Sequence, residues 1–206
     1  MLKKQFNDGK KDFFNILQRL KKRDFSGNTG IAVKNSVYQF STNLMSKLLS
    51  FVFTIILARI LLPELFGMYS LALSTILLFA AFSDFGIGET IVRFISKELG
   101  RGNNSKADAY FKYLTKIKFF LMIAVSLALM LLSNLLAENY YHKPIGLALL
   151  AGGLYILIAG FAVIFQSLLQ AYNLFRPILY RELLFQIARL IFIPLVVLFA
   201  LKNSFG

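Results

Sequence analysis

The chain has no cysteine, a single histidine, and only 10 acidic residues against 23 lysines and arginines in a length of 206. Each scarcity removes a class of chemistry. Without cysteine there is no disulfide framework and no thiolate-based zinc or iron-sulfur centre. The one histidine, His142, stands in a loop beside Lys143 and Pro144 and reads as a solvated turn residue. A Ser/His/Asp triad or a histidine metal site would need partners that this side of the chain lacks. The glycines carry no nucleotide signal. "GIGETI" lacks the spacing and strand context of a dinucleotide fingerprint, and "GRGNNSK" lacks the phosphate-loop pattern. No catalytic residue, metal or cofactor is expected, and the chain is not expected to be an enzyme. A cleavable leader is not expected either, because the first 30 residues hold lysines and arginines without an apolar core and a small-residue cleavage site.

What the chain does have is apolar length. Hydrophobic residues make up 57% and aromatic residues 15%, and the mean hydropathy is +0.65. That leaves too little polar surface for a soluble chain. A helix needs about 20 apolar residues to cross about 30 Å of hydrocarbon. Windows of that kind fall at about 36 to 62, 65 to 84, 117 to 137, 145 to 166 and 183 to 201. The expected fold is all-α: a polytopic bundle of five transmembrane helices in residues 35 to 206, preceded by a basic tail, 1 to 34. Within the tail, "DFFNILQRLKKRD" reads either as an interfacial helix on anionic lipid or as a solvated basic segment. "GNTG" reads as a flexible entry to the first span.

The formal charge of +13 is distributed as a topology signal. With the N-terminus inside, the cytoplasmic segments 1 to 34, 93 to 118 and 172 to 189 hold nineteen lysines and arginines, and the opposite side holds only Lys143 and Lys202. Positive residues collect on the cytoplasmic side of membrane proteins, which predicts a multi-pass protein with its N-terminus in the cytoplasm. The same charge without aromatic interleaving or a nucleic-acid motif does not favour nucleic acid as a partner. Membrane lipids are the expected surroundings.

The first span is the most informative. At about 100° per residue, Ser36, Gln39, Asn43, Ser46, Lys47, Ser50 and Thr54 fall on one stripe. Polar groups facing hydrocarbon go unsatisfied, so the stripe either packs against another helix or lines a watery cavity. Gln39, Asn43, Lys47, Ser50 and Thr54 are the candidate cavity-lining residues, with Arg189 of the fifth span as a second intramembrane cation. Lys47 has the alternative of snorkelling to the inner boundary, and Arg189 that of a structural ion pair or an interfacial arginine. Arg59 stands near the outer end, where an interfacial anchor and a gating residue are both open. After the second span, Asp84, Glu89 and Arg93 are candidates for a cavity mouth. Their plainer reading is a local helix pair, with Glu89 four residues before Arg93. "LPELFG" reads as a short hairpin bounded by Pro63 and Gly67, and "QSLLQAYNLF" as an extension of the fourth span ending at Pro177.

"ILARILLPELFGMYSLA" followed by "SDFGIGETIVRFISKELGRGNNSKA" resembles the opening of the O-antigen type polysaccharide-biosynthesis flippases. These form the lipid-linked oligosaccharide branch of the multidrug/oligosaccharidyl-lipid/polysaccharide exporter superfamily. The residues that carry the resemblance are Ala58, Arg59, Leu62, Pro63, Glu64, Phe66, Gly67, Tyr69, Ser83, Asp84, Gly86 and Arg93, with a weaker echo in "LLQAYNLFRP". The resemblance implies two lobes of six helices around a central cavity. It also implies alternating-access translocation of a polyprenyl- or dolichyl-(pyro)phosphate-linked glycan. Five spans would make most of one lobe, so an incomplete N-terminal portion is expected, with glycan-assembly proteins or a C-terminal lobe as partners. A cationic polar stripe suits a phosphate headgroup, whose oxygens need charge-assisted hydrogen bonds once they leave water. Two alternatives stand beside this one. A small-molecule or drug antiporter of the superfamily would want an acidic coupling residue, and the deep core offers none. A non-transporting scaffold or remnant would keep the stripe packed shut.

Overall fold

A computed structural model describes residues 27–204. The tail segment at 12 to 24 lies outside the described residues. Within them the chain is helical without strands: α1 Gly27–Ile60, α2 Pro63–Asp84, α3 Ile87–Gly100, α4 Asn104–Asn134, α5 Gly146–Ala171 and α6 Phe175–Ser204. A π-helical stretch, Leu135–Tyr140, prolongs α4. Five helical segments are long and apolar enough to cross a membrane: Val33–Ile60, Pro63–Gly100, Asn104–Tyr140, Gly146–Ala171 and Phe175–Phe199. Large apolar side chains such as Leu131, Leu147 and Ile158 point outward, as they do where lipid is the solvent.

The helix boundaries differ from the expected ones in ways that proline and glycine explain. Pro63 starts α2 instead of holding a loop open, and Gly67 lies inside the helix without stopping it. Proline is tolerated in a first turn because its missing N–H would have no intrahelical acceptor there. The same reason places Pro177 in the first turn of α6, so α5 ends earlier, at Ala171. Asn173, in the left-handed region at φ +59°, reverses the chain between them. "GNTG" is helical and opens α1. Between α2 and α3 the break comes at Phe85 and Gly86, both with positive φ.

Two packed groups follow from these elements. Helices α2 to α5 form a bundle whose closest contact, α4 on α5, is set by glycine. A Cβ on Gly153 would meet Met130 Cγ at 2.5 Å, and one on Gly160 would meet Met122 Sδ at 2.7 Å. Ser126 Oγ donates to the Gly153 carbonyl at 2.8 Å. Small residues let membrane helices approach this closely, and van der Waals contact then replaces the hydrophobic drive that lipid does not supply. Amphipathic α3 lays Ile91 and Ile95 on Ala107 of α4 and Ala171 of α5. Near the other end of the bundle, Thr75 of α2 hydrogen-bonds Tyr141, at 3.0 Å.

The second group is the pair α1 and α6, which run parallel. Asn35 donates to Asn173, Arg176 to Tyr38, Ser46 to Glu182 and Ser50 to Gln186, at 3.0, 2.9, 3.1 and 3.4 Å. Each pair is separated by 136 or 138 residues, so the register is constant. Phe53 and Arg189 continue the ladder, with the guanidinium carbon 4.0 Å from the ring centre. From Asn35 to Phe53 the ladder spans about 27 Å.

Candidate functional site

The ladder divides the polar stripe of α1. Ser46 and Ser50 turn toward α6, where Glu182 and Gln186, four residues apart on one face, receive them. Gln186 Nε2 also donates to Glu182 Oε1 at 3.0 Å, and Arg181 Nη2 lies 3.3 Å from Glu182 Oε2. This half of the stripe is a helix-packing seam. The other half, Ser36, Asn43, Lys47 and Thr54, remains exposed. The split follows from helical phase, since Ser46 and Ser50 sit on the edge of the stripe nearest buried Phe53, and Asn43, Lys47 and Thr54 sit further around. Thr54 returns its hydroxyl to the Ser50 carbonyl, 2.9 Å away.

Recesses lined by described residues flank the ladder. Ser46, Lys47, Ser50, Phe51 and Thr54 line one of about 300 Å³. Toward the start of α1, a second of about 440 Å³ lies among Asn35, Gln39, Phe40, Asn43, Asn173 and Phe175. The third, about 590 Å³, is mostly apolar and sits between α2, α5 and α6, with Tyr69, Leu73, Tyr155, Phe185 and Arg189 among its lining. Lys47 and Arg189 therefore occupy different recesses. The reason is again phase: Arg189 stacks on Phe53, on the far side of the seam from Lys47. A guanidinium held over an aromatic face gains electrostatic attraction that grows as water is excluded.

The residues after the second span fall apart as a group. Asp84 faces inward and forms an ion pair with Lys118 of α4. Glu89 and Arg93 are both exposed on α3, and no ion pair joins them. Exposure to solvent or headgroups leaves an i,i+4 pair little to gain, and α3 spends its helical period on the buried Ile91 and Ile95. Arg59 is exposed in the last turn of α1. Among the described residues no three acidic or imidazole side chains gather as a metal ligand set.

Lys118 is a functional-looking residue that the sequence presents only as one more cytoplasmic charge at the edge of the third apolar window. It is 0% exposed, the largest charged side chain in the interior. A signal for it existed. Met122, Ser126, Leu129 and Ser133 are the buried positions of α4, and stepping back four residues from Met122 lands on Lys118. Glu182 gives no comparable signal by itself, because it precedes the apolar window of the fifth span. Its partner Gln186, one turn on, marks the same face.

These features define an all-helical, multi-pass membrane protein with a polar, partly open seam between α1 and α6. A family model described as polysaccharide biosynthesis protein matches residues 32–203, nearly the whole described chain, and the protein belongs to that family. Comparison with curated proteins and with solved structures gives no significant match.

Proposed function

We propose that the protein acts in the translocation of a lipid-linked glycan precursor across the cytoplasmic membrane, as a flippase rather than an enzyme, with its N-terminus in the cytoplasm. The observation that carries this reading is Lys47. It stays exposed on a membrane-spanning helix, in a recess with Ser46, Ser50 and Thr54, although the neighbouring half of the stripe has found partners on α6. A cation left on a spanning helix costs about 2.5 to 3.5 kcal/mol on insertion scales, which a watery path or an anionic group offsets. A (pyro)phosphate headgroup supplies both charge and acceptor oxygens. The ammonium meets it as a point charge with three donors. Family membership in polysaccharide biosynthesis supports a glycan as the cargo.

Small-molecule antiport is the second reading, and Glu182 is the observation in its favour, since a carboxylate does border the stripe. Its oxygens, however, already accept from Ser46, Gln186 and Arg181. That pattern is structural.

Replacing Lys47 by alanine in the chromosomal gene tests the proposal. Lipid-linked glycan should accumulate in the inner leaflet and surface polysaccharide should fall, with the protein inserted and abundant. Unchanged export would overturn the assignment, and loss of the protein itself would assign Lys47 to the fold.

A further inference from the structure

The recess near the start of α1 has a different chemistry from the one at Lys47. Its lining is three asparagines, a glutamine, a serine and two phenylalanines, with no charged side chain among them. Gln39 Oε1 is shut off from water and has no hydrogen-bond partner. Asn35 Nδ2 donates to Asn173 Oδ1 at 3.0 Å, and the left-handed backbone at Asn173 brings the second amide into place. Phe40 and Phe175 supply flat apolar faces.

Primary amides offer a donor and an acceptor from one position, whichever way the group is turned. A sugar ring asks for that combination, because each hydroxyl both donates and accepts while the ring's C–H face packs on an aromatic. We propose that this recess binds the uncharged sugar units of the glycan next to its lipid headgroup, a subsite separate from the cationic one. The inference rests on the transport reading above. Gln39 and Lys47 are eight residues apart, about 12 Å along the helix, a length that a headgroup-linked disaccharide spans. With the (pyro)phosphate at Lys47, the first sugars would lie against Asn43, Gln39 and Phe40, toward the cytoplasmic end. A lining without cations gives an acidic sugar no counter-charge, so the subsite selects uncharged ones. Gln39 Oε1 is one of two buried side-chain polar atoms without a partner among the described residues, Thr115 Oγ1 being the other, and it alone belongs to a residue of this recess.

The test uses the full chain in lipid nanodiscs and two synthetic probes: polyprenyl diphosphate bearing a neutral disaccharide, and polyprenyl diphosphate alone. The unaltered protein should hold the glycosylated probe at least tenfold more tightly. Gln39→Ala combined with Asn43→Ala, or Phe40→Ala alone, should abolish that preference and leave the affinity for the bare probe unchanged. Asn43→Gln, which keeps an amide, should retain part of the preference, a recovery that a folding defect would not produce. Lys47→Ala should weaken both probes alike. Equal affinity of the unaltered protein for the two probes would overturn the sugar subsite and leave the headgroup reading standing, as would a preference that survives all the recess substitutions. Failure to hold either probe would overturn both.

Discussion

Lys118, wholly buried in α4, makes its ion pair with Asp84 at the C-terminal end of α2, whose side chain is 35% exposed. The pair ties two helices together where the chain breaks at Phe85 and Gly86 before entering α3. Gly88 fits into the same corner: a Cβ there would lie 3.1 Å from Ser167 Oγ and 3.4 Å from Asp84 Oδ1. The serine-aspartate-x-glycine step is thus accounted for by architecture. Asp84 supplies the counter-charge to Lys118, and the glycines let α3 turn beside it.

Removing one member of the pair should cost more than removing both. Asp84→Ala leaves an ammonium inside the bundle without its counter-charge, at a cost of about 3 kcal/mol, the low end for a broken buried pair because Asp84 is partly exposed. Asp84→Ala with Lys118→Met should regain most of that loss. Thermal unfolding of the four purified proteins in detergent measures the coupling. Additive losses would show that the two residues act independently.

Glycine positions separate tight packing from simple helix propensity. Gly160→Leu should collapse the yield of folded protein, because its side chain would enter the space of Met122. Gly67, with nothing within 4 Å of a built Cβ, gives the opposite expectation. Gly67→Ala should raise stability by about 0.5 to 1 kcal/mol through lower unfolded-state entropy and better helix propensity. Equal destabilisation by both would contradict the contrast.

Much of this fold was legible in the sequence, because an apolar window of bilayer length needs no tertiary information to be recognised. Five apolar helical segments overlap the windows that hydropathy marks, with Pro63–Gly100 and Asn104–Tyr140 running well beyond theirs. Their ends are less legible, since Pro63, Pro177 and Gly67 look like breakers in the sequence, while position within a turn decides whether proline stops a helix or starts one. The candidate site was legible as a stripe but not as two halves. Ser46 and Lys47 are neighbours in sequence, and only the placement of Glu182 on a parallel α6, more than 130 residues later, turns one inward and leaves the other open. Lys118 was hidden for a related reason. A lysine among Lys112 and Lys116 looks like loop charge until the buried face of α4 is known.

Topology is a separate prediction, drawn from the asymmetry of the lysines and arginines. A reporter that matures only outside the cytoplasm should be active when inserted at His142, in the exposed turn between α4 and α5, and inactive in the loop at Gly102. The reverse pattern would invert the orientation and place the amide recess on the outer side.

The division of the α1 stripe is tested most directly by thiol accessibility, which the absence of native cysteine makes unambiguous. Single cysteines at Asn43, Lys47 and Thr54 should react in intact membranes with a membrane-impermeant, water-soluble maleimide applied from both sides. Cysteines at Thr42 and Phe53, buried in the protein, and at Met45 and Leu48, among outward apolar side chains, should not. Labelling at 43, 47 and 54 alone is the predicted result. Labelling at all seven positions, or at none, would contradict an aqueous path along the Lys47 edge.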